Sequence, residues 1–119
     1  MDDEDMVGDI ACKMVRHLGY EAVHVKEGRA AVDEYTRRLE SAEPFDAVIM
    51  DLTVPDGGMG GTEAVVALLA VDPDARVLVS SGYSTDPIMT NYRQHGFVGV
   101  VKKPFDLASI KSILDSLCS

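Results

Sequence analysis

The sequence predicts a doubly wound α/β domain built on a parallel sheet. Four short runs rich in valine and isoleucine, bounded by Gly, Pro or Asp, recur along the chain and read as buried strands. Helical periodicities fill the spaces between them. The runs in the second half show little polar alternation, as expected of strands covered by helices on both faces. With 119 residues, the chain makes a single domain over 1–119, and an apolar fraction of 46% is enough to bury a core.

Taken in order, Val7, Ile10, Met14 and Leu18 place a helix ahead of the first run, and Gly19 supplies its stop. The expected strands are Tyr20–Val25, Phe45–Met50, Ala75–Val79 and Phe97–Val101. Gly61–Val71 is nearly all apolar, and its Ala and Leu content assigns it to helix. Asp86 followed by Pro87 reads as a cap and first helical residue. Leu107, Ile110, Ile113, Leu114 and Leu117 form the stripe of a last helix, with Asp106 as its cap. The order is helix, then strand–helix four times. An open α/β domain would begin with a strand, yet this chain enters a helix within about five residues. The unfilled central position predicts a gap of about 9.6 Å, twice the usual strand spacing. Re-pairing of the remaining strands, a strand from a second copy, or a longer parent chain would close it, and truncation is the leading expectation.

Composition narrows the function. Twenty acidic residues against eleven basic ones give a formal charge of −9, the wrong sign for a domain that binds nucleic acid directly. Cys12 and Cys118 are too few for a disulfide framework and suit a reducing cytoplasm. No apolar run approaches ~18 residues, so no direct membrane association is expected. His17, His24 and His95 have no metal-ligand spacing and read as surface or edge residues.

In open α/β sheets, ligands bind beyond the carboxyl ends of the strands. Asp51 follows one run, Ser80 and Ser81 another, Lys102 and Lys103 the last, and Asp2, Asp3 and Glu4 stand where a preceding strand would end. Carboxylates gathered this closely need a cation, and oxygen-only ligands favour Mg²⁺. A carboxylate facing both a divalent cation and a lysine is placed to accept a phosphoryl group. Asp51 is the candidate nucleophile, Asp2 and Asp3 the candidate metal ligands, and Lys103 and Ser81 the candidate phosphoryl contacts.

The stretches DDED, VIMDLTVP, VLVSSGYS and VVKKPF resemble, in order and spacing, the receiver domain of two-component response regulators. The SGYS and KPF phrasing is most similar to receivers of hybrid sensor histidine kinases. The resemblance implies a flavodoxin-like (CheY-like) fold whose first strand is missing from this chain. It implies that Asp51 is phosphorylated from a phosphohistidine on a histidine kinase or phosphotransfer protein. Mg²⁺ would be held by Asp3, Asp51 and the backbone carbonyl of Thr53, with Asp2 acting through water. Ser81 takes the place of the switch hydroxyl and Lys103 that of the phosphate-binding lysine, with Pro104 as a cis or turn proline after it. It also allows a homodimer, through the face of the fourth helix, last strand and last helix or by strand exchange. On this reading the chain is no turnover enzyme.

Val100 stands where the family commonly has an aromatic residue, and the loop Pro55–Gly61 is long and glycine-rich. Two other readings stay open. A receiver-like interaction module would never be phosphorylated. An aspartyl-nucleophile phosphatase would need an acid two residues after Asp51, where the chain has Thr53.

Overall fold

A computed structural model describes residues 1–2, 4–43, 45–52, 61–81 and 87–118, the side chain of Cys118 excepted. The elements are α1 (Asp5–His17), α2 (Gly28–Glu40), β1 (Val48–Asp51), α3 (Gly61–Val71), β2 (Val77–Ser81), α4 (Pro87–Thr90), a 3₁₀ turn (Tyr92–His95), β3 (Gly99–Lys102) and α5 (Leu107–Cys118). The three strands are parallel in the order β1-β2-β3, with Asp51 beside Ser80 and Ser81 beside Lys102. This is the α/β architecture expected.

All five residues of β2 are buried. Val77 and Val79 join Ala31, Tyr35, Met50, Val65, Leu68 and Phe97 on one side of the sheet. Leu78 alternates to the other side, with Val101, Ile110 and Leu114, against which Met14 and Val15 of α1 and the following Leu18 pack. Covered on both faces, Val77–Val79 read as continuously apolar, and the polar Ser80 and Ser81 come only at the carboxyl end.

The helix signals hold where their chemistry is local. Gly19 adopts φ 96°, and the Gly19 and Tyr20 N–H groups donate to the Arg16 and Val15 carbonyls, closing α1 in the left-handed glycine cap. Asp106 accepts the Ser109 N–H at 2.7 Å and opens α5. The expected helix after Pro87 is only one turn, broken at Asn91 and continued as the 3₁₀ turn that Gly96 ends at φ 97°. Its proposed cap, Asp86, lies outside the described residues, as do 55–60 of the glycine-rich loop.

The expected strand Tyr20–Val25 does not form. The segment runs beside β1 without joining the sheet, because the two are separated by a slot of about 430 Å³. Only the carboxyl-end rim of this slot is bridged. The Met1 amino group donates to the Ile49 carbonyl, Asp51 N–H donates to the Met1 carbonyl at 3.0 Å, and Asp2 N–H donates to the Val25 carbonyl at 3.1 Å. Met1 therefore occupies one rung of a parallel ladder opposite Met50. Among the described residues the neighbouring strands have not re-paired to close the gap.

Candidate functional site

Asp51 ends β1 and is 1% exposed. Asp2, also buried at 5%, is set beside it by the Met1 bridge. Lys103 follows β3, and its N–H donates to the Ser81 carbonyl at 3.2 Å. Its side chain turns back across the rim, placing Nζ 2.7 Å from Asp2 Oδ2 and 3.2 Å from Asp51 Oδ1. Burial works to lower the Lys103 pKa, but the hydrogen bond to Asp2 and the charge of Asp51 outweigh it and hold the ammonium above its ordinary value. The Met1 amino group is driven the other way, lowered by burial against the pull of the Asp2 and Asp51 charges.

Asp2 has a second duty. Its Oδ1 accepts the Glu4 N–H at 3.0 Å, so the residue shapes the entry to α1 while presenting Oδ2 to the rim. Ser81 is buried at the carboxyl end of β2, one rung beyond Asp51. Ser80 lies directly beside Asp51 in the register, and its buried hydroxyl has no hydrogen-bond partner among the described residues. The Lys103–Pro104 peptide bond is cis. Asp3 and Thr53 lie outside the described residues, and among those described no cluster of three or more His, Cys, Asp or Glu converges.

The donors present fit a hard divalent cation. Two buried carboxylates stand together at the rim, and every ligand atom they offer is oxygen.

Two supporting residues escape sequence reading. His24 is half-buried rather than a surface residue, with Nε2 2.7 Å from the Asp2 carbonyl oxygen. Alternation along YEAVHV was the available signal, since it sets Ala22 and His24 on one side. Gly61 is the other. A Cβ there would stand 2.7 Å from the Asp51 carbonyl oxygen, so α3 approaches β1 as closely as its backbone allows. Gly61→Ala should cost about 1–3 kcal/mol in urea unfolding, because backbone rather than a flexible side chain must yield.

The comparisons with known proteins identify the family. The family model for the response regulator receiver domain matches residues 1–115. The chain is 26% identical over 118 residues to the chemotaxis protein CheY of Thermotoga maritima, covering 98% of this chain and 92% of that protein. It is 33% identical over 104 residues to the response regulator GacA of Pseudomonas aeruginosa, covering 87% of this chain and 46% of that longer protein. Among solved structures, the receiver domain of a Pseudomonas aeruginosa sensor histidine kinase, which has a magnesium ion coordinated in its active-site cleft, superposes with a TM-score of 0.83. That pair is 24% identical, with 98% and 92% of the two chains covered. With the family model spanning nearly its whole length and the parallel sheet in place, the chain belongs to the response regulator receiver domain family of two-component signalling.

Proposed function

We propose that Asp51 is the phosphoacceptor of a two-component phosphorelay, receiving the group from a phosphohistidine on a histidine kinase or phosphotransfer protein. The observation that carries this reading is the buried Asp51 carboxylate held 3.2 Å from Lys103 with Asp2 alongside. A 24% identical relative, the sporulation initiation phosphotransferase F of Bacillus subtilis, covers 93% of this chain and supports a phosphorelay setting.

One Asp51 carboxylate oxygen attacks phosphorus in line. The P–N bond to the donor imidazole breaks, its electron pair returns to the ring, and an acyl phosphate forms. Lys103 moves its ammonium from the carboxylates to the arriving phosphoryl oxygens, where it offsets their charge. Asp2, Asp3, Asp51 and the Thr53 carbonyl would hold Mg²⁺, which supplies further neutralisation of the transferring oxygens. Ser81 donates its hydroxyl to the phosphoryl group and carries the change towards β3, because the Lys103 N–H already rests on its carbonyl.

The chain acts as a switch whose only catalysis is accepting and hydrolysing its own phosphoryl group. Its setting is cytoplasmic, a reading supported by phosphohistidine chemistry and by the lack, among the described residues, of a helix long and apolar enough to cross a membrane. Val98 and Leu107, 43% and 39% exposed, are apolar residues available for a homodimer through the α4–β3–α5 face.

Incubation with labelled acetyl phosphate should incorporate label with Mg²⁺ and not with excess chelator. The label should be released by hydroxylamine, as an acyl phosphate is and a phosphoserine is not. No incorporation with Mg²⁺ present would favour an interaction module that is never phosphorylated. Sustained hydrolysis of a generic phosphomonoester would favour a phosphatase.

A further inference from the structure

We propose that the Ser80 hydroxyl is a second donor to the Asp51 carboxylate, idle while Lys103 rests there and engaged when the acyl phosphate is hydrolysed. The inference rests on Asp51 being the phosphoacceptor and assigns a residue to the step that resets it.

Three observations carry this. The first is that the hydroxyl has no task in the folded chain. Ser80 is 1% exposed, and its Oγ has no hydrogen-bond partner among the described residues. A buried hydroxyl left in this state is destabilising, and an alanine would fill the position without that cost.

The second is its place in the ladder. Met50 and Val79 are register partners and both belong to the core on one side of the sheet. The next pair, Asp51 and Ser80, therefore shares the opposite side, that of Leu78 and Val101. Ser80 stands between Asp51 on β1 and Val101 on β3. Val101 offers no side-chain acceptor, so the carboxylate of Asp51 is the polar side chain directly across the ladder.

The third is that Lys103 changes partners during the reaction. Its Nζ stands 3.2 Å from Asp51 Oδ1 before transfer and is drawn to the phosphoryl oxygens after it. In hydrolysis a water oxygen attacks phosphorus and the P–O bond to Asp51 breaks. Its electron pair stays on the carboxylate, and the water gives up a proton to solvent as inorganic phosphate departs. Negative charge thus returns to a carboxylate that is 1% exposed while the ammonium is still engaged by phosphate. A hydroxyl aimed at that oxygen bonds more strongly as the charge develops, which lowers the barrier. Once phosphate has left, Lys103 returns to Asp51 and the hydroxyl is idle again.

Loading the full chain with labelled acetyl phosphate and Mg²⁺, removing the donor and following the loss of label tests the proposal. The label should persist about three- to tenfold longer on Ser80→Ala than on the natural chain. Ser80→Cys keeps the shape of the side chain but offers only a weak donor, so it should follow the alanine variant. A lifetime on Ser80→Ala equal to or shorter than the natural one would overturn the proposal and leave Asp51 as acceptor. A natural lifetime on Ser80→Cys beside a prolonged one on Ser80→Ala would assign the effect to packing and overturn it too. No label on the natural chain would remove the acceptor reading, and this proposal with it.

Discussion

Replacing Lys103 with Met is expected to destabilise the protein by about 3 kcal/mol at pH 7 and to abolish phosphoryl acceptance. The ammonium stands 2.7 Å from Asp2 and 3.2 Å from Asp51, and removing it strands two buried carboxylates beside each other. Breaking a buried pair from one side costs about 3–5 kcal/mol, and the partial exposure of Lys103 argues for the low end. The pH dependence separates this from lost packing. In the variant the two buried carboxylates repel one another, and protonating one relieves the repulsion, so the deficit should be smaller at pH 4 than at pH 7. In the natural protein the Lys103 pKa is itself raised, so its contribution is fully present below about 10.4 and is lost as pH rises through the folded value. Urea unfolding of both proteins at pH 7 and pH 4 measures the difference, and a cost independent of pH would show that packing of the lysine stem explains the loss.

Asp2→Asn should weaken Mg²⁺ binding by about 10–100-fold, the usual loss when a group that acts on the metal from the outer shell is removed. The amide retains an oxygen in place of Oδ1 to accept the Glu4 N–H, so the entry to α1 is kept while one negative charge leaves the rim. Lys103 keeps Asp51 as partner. Calorimetric titration with Mg²⁺ reads the change. Unchanged Mg²⁺ affinity would remove Asp2 from the metal site.

Much of this is legible in the sequence, and the pattern of what is legible has a physical cause. The strand positions were found because Val, Ile and Leu with period-free burial leave few alternatives. Their limits were not: the strands run Val48–Asp51, Val77–Ser81 and Gly99–Lys102, each displaced towards the carboxyl end of its apolar run. Phe97 shows why. It is buried in the core at 2% exposure but precedes the first rung, so hydrophobicity marks it while pairing does not. The displacement brings Asp51, Ser81 and Lys102 inside the ladder, so the register itself sets the rim.

The run Tyr20–Val25 fails as a strand for a reason its own residues cannot reveal. A strand is a property of a pair, and its neighbour is present for only the rung at Met1 and the bond from Asp2 to Val25. The same dependence on distant chain hid the role of His24, which rests on the Asp2 carbonyl 22 residues away. The predicted gap, by contrast, was legible because counting strands against the doubly wound pattern requires no side-chain detail. Asp2 serves two purposes: helix entry through Oδ1 and the charged rim through Oδ2.

The central claim is that Asp51 accepts the phosphoryl group. Intact-mass measurement of the natural chain and of Asp51→Asn, each incubated with acetyl phosphate and Mg²⁺, tests it most directly. The natural chain should gain the mass of one phosphoryl group and the variant none. An equal gain in both would place the acceptor elsewhere and contradict the account.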